Sequence, residues 1–135
     1  MNAVDAYVAR MVKCCPSVRE VWLLGSRANN TARPDSDWDL LVFGDGSLIT
    51  QLREASELHR DDIDCLAVVD ADRFESAWGK KPKGGSLSGW EWERSPNDQA
   101  TYTETKWRDA EDGAGWVSKR RRALLLWRAP QSKTT

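Results

Sequence analysis

Hydrophobic positions fall into short, well-punctuated blocks along the first half of the chain. Val4, Tyr7, Val8, Met11, Val12 and Cys15 recur at helical spacing behind Asn2, a capping type of residue, and Pro16 closes the run, which predicts a first helix. Glu20-Val21-Trp22-Leu23-Leu24 is short and almost wholly apolar, the pattern of a buried strand, and it stops at Gly25. Its passage into Gly25-Ser26-Arg27-Ala28 predicts a strand-to-helix turn with Ser26 as the cap. Thr31 to Ser36, with Pro34 inside, reads as loop. Trp38 to Phe43 forms a second apolar strand ended by Gly44-Asp45-Gly46, and Ser47 then caps a helix whose Leu48, Leu52, Ala55 and Leu58 make one stripe. Asp62 to Val69 is the third strand. Helix and strand therefore alternate, an α/β pattern over one sheet.

Beyond Val69 the periodicity changes. Ala71 to Trp78 is expected as a short helix, and Gly79 to Gly85 as a basic loop. Trp90 to Arg94 alternates at period two, Ser95-Pro96-Asn97-Asp98 is turn chemistry, and Ala100 to Thr105 is rich in β-formers, so these segments predict an antiparallel hairpin. Trp116 to Trp127 fits a helical stripe as well as a strand. The Gly113-Ala114-Gly115 turn and the neighbouring hairpin favour strand. The resulting expectation is an α/β (α+β) fold: a mixed sheet with flanking helices over 1–75, a Trp-rich β extension of the same domain over 76–130, and a disordered tail over 131–135.

At 135 residues the chain has room for one modest core, and its 40 % hydrophobic, 30 % charged composition is that of a globular protein. No apolar run approaches the roughly 20 residues of a membrane helix, and the opening segment lacks a signal peptide's apolar region, so a cytoplasmic location is expected. Cys14, Cys15 and Cys65 show no zinc or disulfide spacing and read as free thiols. The net charge of −1 hides an asymmetry. Residues 1–75 carry 8 Lys and Arg against 14 Asp and Glu, residues 76–135 carry 12 against 7, and the later segment holds six of the eight tryptophans. Such a split suits either a metal site beside a polyanion-binding surface or two faces of one domain that attract each other.

The chemistry concentrates where the strands begin and end. Gly25-Ser26 closes one strand, ten residues follow, and Asp37-Trp38-Asp39 opens the next, with both carboxylates on one face because side chains alternate. Carboxylates so placed beside a small-residue turn suit magnesium that also binds nucleotide phosphates. The stretch LLGSRANNTARPDSDWDLLVF resembles the signature of the DNA polymerase β-type nucleotidyltransferases, above all the minimal ones, and the resemblance covers residues 20–70. Gly25, Ser26, Ser36, Asp37 and Asp39 fall on it residue for residue. The family's third acid sits on a later strand in an apolar setting. Asp64 matches that setting, where a carboxylate needs a partner, and Asp62 shares its face.

The resemblance implies transfer of a nucleoside monophosphate from a triphosphate, ATP in the first instance, to an acceptor hydroxyl, with release of pyrophosphate. It implies two Mg2+ ions on Asp37, Asp39 and Asp64, a nucleotide seated at Gly25, Ser26 and Arg27, and Asp64 as general base or metal ligand. Glycine is usual in minimal members where this chain has Asn30, the residue that best tolerates a left-handed conformation. The helical accessory domains of larger members are replaced by the Trp-rich extension. The acceptor is open among protein, RNA and small molecule, and a partner protein is a further expectation at the Trp-rich segment. Arg33 and the Lys80, Lys81 and Lys83 loop are in reach of phosphate on the sequence alone, although solvated residues are the commoner case, and His59 reads as a helix-terminal polar residue. The tryptophans beside Arg120, Arg121 and Arg122 suit base stacking, or more often the core of a small β layer. The alternative function is a binding module, an antitoxin, nucleic-acid binder or regulatory subunit. Two clustered carboxylates that repel each other without metal argue for chemistry instead.

Overall fold

The computed structural model describes residues 3–79, 84–108 and 113–130. Lys80, Lys81, Lys83 and the 131–135 tail lie outside the described residues. The elements run α1 (Ala3–Cys14), β1 (Val18–Leu24), α2 (Gly25–Ala28), β2 (Trp38–Gly44), α3 (Leu48–Glu54), a 3-10 turn at Ser56–Leu58, β3 (Ile63–Val68), β4 (Arg73–Trp78), β5 (Gly84–Ser86), β6 (Glu93–Ser95), β7 (Gln99–Arg108) and β8 (Gly115–Arg128). All strands join one sheet in the order β5-β4-β3-β2-β1-β8-β7-β6. Neighbours are antiparallel except β2 and β3, which run parallel and are joined through α3.

Period-two alternation divides the strand residues between two layers. On one face Val21, Leu23, Leu40, Val42, Cys65 and Ala67 pack against α1 and α3 through Tyr7, Val8, Met11, Leu48 and Leu52. On the other, Trp22, Leu24, Leu41, Leu66 and Val68 meet Phe74, Leu87 and Tyr102, with Trp90 and Trp92 against them. This second layer is aromatic. Trp22 meets Trp92 edge-on at 5.2 Å between centroids, Phe74 lies 4.4 Å from Trp90, and Trp90 lies 5.1 Å from Tyr102. The tryptophans at 22, 90 and 92 are therefore packing elements, whereas Trp116 on the β8 arm is 71 % exposed.

The expected elements between Ala3 and Val69 are present, and the Trp116 to Trp127 segment is strand. Four local expectations are corrected. Residues 73–78 form β4, not a helix: Asp70 Oδ1 accepts from the Asp72 and Arg73 N–H groups, turning the chain back so that β4 covers the edge of β3. Ser26 is not a cap, because α2 begins at Gly25 with Leu24 at the N-cap and no side-chain cap bond. Ser47 occupies its N-cap position without capping by its side chain, while Asp45 Oδ1 accepts from the Ser47 N–H at 2.9 Å. Trp90 and Trp92 lie in a turn ahead of β6, so the hairpin uses only Glu93–Ser95, closed by left-handed Asn97 and Asp98. Asn30 takes the left-handed conformation expected of it, at φ 57°.

The basic extension is tied to the core by its arginines. Arg122 donates through Nε and Nη2 to the Ala28 carbonyl at 3.2 and 3.0 Å, at the end of α2. Arg120 reaches the carbonyls of Trp90 and Glu91 and the hydroxyls of Thr101 and Thr103. Arg94 and Arg128 both pair with Glu20 on β1, at 2.8 and 3.5 Å.

Candidate active site

The β1 strand ends where β2 and β3 begin. Leu24 is the register partner of Asp39, and Asp39 that of Asp64, so two carboxylates from parallel neighbours stand side by side just beyond the Gly25 turn. Both line a cavity of about 590 Å³ with Gly25, Ser76, Trp90, Tyr102, Glu104 and Thr105. Asp39, Asp64 and Glu104 are the charged side chains lining it among the described residues, and all three are acids.

Two glycines give the acids room. Gly25 has φ +68°, a conformation costly for other residues, and a Cβ there would stand 2.4 Å from Asp39 Oδ2. A Cβ on Gly79 would stand 2.9 Å from Asp64 Oδ1. The Gly25 N–H donates to the Tyr102 hydroxyl at 2.9 Å. Burial raises the Tyr102 pKa above the ordinary phenol value, with the Gly25 N–H acting in the opposite direction, so the hydroxyl keeps its proton at neutral pH.

The other expected residues are distributed around this centre. Asp37 precedes β2, half-buried, and does not line the cavity. Asp62 is held by Arg60 through two bonds of 2.9 Å and also lies outside the cavity, so of the two candidates for third acid it is Asp64 that stands beside Asp39. Arg27 donates to the Ser36 carbonyl at 2.7 Å and lies over the Trp38 ring, fastening the loop that leads to Asp37 instead of lining the cavity. Ser36 Oγ accepts from the Arg33 N–H, and Arg33 itself is exposed. His59 stacks on Trp78 with Nε2 at the Leu52 carbonyl, a packing role. Among the described residues no three His, Cys, Asp or Glu side chains are gathered closely enough to hold a metal by themselves.

Residues 6–113, which carry the glycine turn and both cavity acids, match a family model, that of the nucleotidyltransferase domain. The chain belongs to the nucleotidyltransferase domain family. A proposed nucleotidyltransferase from Sulfolobus solfataricus, known from a crystal structure, is 24 % identical over 47 % of this chain and 61 % of its own, with a TM-score of 0.40. No curated protein matches the chain.

Within this nucleotidyltransferase domain, sequence reasoning missed Tyr102 and Glu104. They alternate along β7 and so share a face, a pattern visible in Ala100 to Thr105. Nothing in the sequence, however, joins that strand to the acids. The link is made by β8 pairing with β1 on one side and β7 on the other.

Proposed function

We propose that the protein transfers a nucleoside monophosphate from a nucleoside triphosphate, ATP in the first instance, to an acceptor hydroxyl and releases pyrophosphate. The reading is carried by one observation: Asp39 and Asp64 are register neighbours in a single cavity beside the Gly25 turn. A cavity whose charged lining among the described residues is acidic repels a bare triphosphate and accepts one that arrives with cations.

The donor set fits magnesium. Hard oxygen donors are what Mg2+ selects, and it is usually held by one or two carboxylates, with substrate phosphates and water completing the shell, so the lack of a three-acid cluster among the described residues is no obstacle. Asp39 and Asp64, joined by Asp37 at the head of β2, would hold the ions, which when bound supply charge neutralisation and a lowered acceptor pKa. Gly25 makes room for Asp39, Ser26 and the backbone of its turn seat the phosphates, and Asp64 orients the acceptor hydroxyl or takes its proton. The aromatic wall of Trp90 and Tyr102 limits access of water from the side of the extension. The binding-module alternative is disfavoured by the family match and by the acids that face the cavity.

The test is incubation with each triphosphate and magnesium in cell lysate, with the label placed either on the α- or on the γ-phosphate. Label from the α position is expected to appear in an acceptor, and label from the γ position in pyrophosphate. Transfer of the γ label instead would make the enzyme a phosphotransferase. No transfer from any triphosphate would remove the proposal.

A further inference from the structure

The two peptide groups that flank Gly25 are each held, directly or through Asn29, by the C-terminal strands. The Gly25 N–H donates to the Tyr102 hydroxyl of β7 at 2.9 Å, and its C=O accepts from Asn29 Nδ2 at 2.7 Å. Asn29 is in turn locked onto β8: Nδ2 also donates to the Arg122 carbonyl at 3.0 Å, and Oδ1 accepts from the Arg122 N–H at 2.9 Å. Tyr102 has one seat. It is 3 % exposed, with its ring centroid 5.1 Å from Trp90 and 6.4 Å from Trp92, so swinging the phenol away would strand a buried hydroxyl and open a hole in the aromatic layer. Having accepted from Gly25, the hydroxyl still carries its own proton. The same Gly25 is the residue whose missing side chain admits the Asp39 carboxylate, a Cβ there being 2.4 Å from Oδ2.

We infer that Tyr102 is a positioning residue of the active site: its hydroxyl fixes the Gly25 peptide so that Asp39 is set for its cation. By occupying the Gly25 N–H it also leaves the triphosphate to Ser26 and the amides after it. The inference rests on the nucleotidyltransferase reading and adds the extension to it as the part that sets the turn.

Tyr102→Phe keeps the ring and removes the hydroxyl. Titration with Mn2+ in the presence of a non-hydrolysable ATP analogue, followed by the paramagnetic signal of the free ion, is expected to show roughly tenfold weaker uptake, the scale of losing a group that orients a metal ligand. Because the Gly25 N–H is left without its acceptor, melting should fall by a few degrees, and uptake is therefore measured well below that transition, where loss of positioning is separated from loss of the fold. A second measurement needs no variant: in the unmutated protein labelled with 15N-glycine, the Gly25 amide should exchange slowly with solvent and keep that protection when the magnesium complex of the analogue is added. Unchanged Mn2+ uptake in Tyr102→Phe, tighter analogue binding by that variant, or a Gly25 amide that loses protection when the analogue binds would each overturn the inference alone. If the unmutated protein takes up no Mn2+, the functional reading falls and the inference with it.

Discussion

Between α1 and β3 the charged side chains at the centre of the molecule are acids facing a cavity, Asp39 and Asp64. Between β6 and β8 Glu104 joins those acids at the cavity, but the arginines of this region already have partners inside the protein: Arg94 and Arg128 on Glu20, Arg120 on the 90–91 turn, Arg122 on the end of α2. Of the two meanings open to the charge asymmetry, attraction between the halves accounts for Arg94 and Arg128 on Glu20, Arg122 fastens to a front-half carbonyl, and Arg120 braces the extension itself. The back half thus supplies the fastening that the front half's chemistry requires.

The most severe way to break this division is to remove an acid. Asp39→Asn is expected to lower turnover by at least about a thousandfold, since a metal ligand contributes several kcal/mol to the transition state, with the melting temperature unchanged or slightly raised. Asp62→Asn, whose partner is the exposed Arg60, should leave turnover within about twofold, a difference near the 0.5 kcal/mol of an ordinary surface change. Equal losses in the two variants would put the chemistry away from the cavity.

Arg120 and Arg122 test the other side of the comparison. Replacing both by Ala is expected to destabilise the fold by about 2–4 kcal/mol, because carbonyls of the 90–91 turn and of α2 lose charged donors. Thermal melting reads this directly. A double variant that melts like the wild type while binding nucleic acid with a shallower salt dependence would restore the polyanion-binding reading. Glu20→Gln is milder. Its carboxylate is 17 % exposed while each arginine is 45 % exposed, and solvent screening reduces the expected loss to about 1 kcal/mol, largest at low salt.

At neutral pH the least visible effect concerns the buried thiol of Cys15, whose pKa burial raises from 9.0 to about 11. A folded-state pKa above the unfolded value favours the protonated native form, so this contribution is fully present below pH 9.0 and is lost as the pH rises through about 11. Urea midpoints measured between pH 8 and 11 should fall over that window in the wild type, and less in Cys15→Ala compared with its own value at pH 8. Parallel curves would show that the thiol does not contribute.

The front half was legible because each element carries its own instruction. An apolar stripe sets α1 and apolar runs set β1, β2 and β3, so that Asp39 and Asp64 fall near the starts of β2 and β3, whereas Asp37, expected on one face with Asp39, precedes β2 and does not line the cavity. Its apolar setting favours Asp64 over Asp62, and in the structure Asp64 lines the cavity while Arg60 holds Asp62 outside it. The strand β4 was misread because its fate is decided by the open edge of β3 and by the turn that Asp70 builds, contacts invisible to periodicity. Tyr102 and Glu104 were hidden for a related reason. Their place beside the acids depends on pairing between segments about a hundred residues apart, Leu23 with Leu124 and Trp22 with Leu125. Arg120 and Arg122 stood in the sequence only as neighbours of the tryptophans, and the carbonyls they meet reveal their role.

The position of β1 between β2 and β8 has a consequence for how the protein comes into being. As the chain leaves the ribosome, α1, β1, β2 and β3 emerge well before Gly115 to Arg128, and until that last strand arrives β1 presents one full row of unpaired backbone groups along an apolar segment. Closing the sheet there demands contacts of very long sequence separation, which form slowly. The nascent front half is thus sticky at the very strand that runs into Gly25, and its first partner is either β8 of its own chain or a neighbour's edge. Nucleotide-binding competence and protection from aggregation should then appear together, at the moment β8 docks.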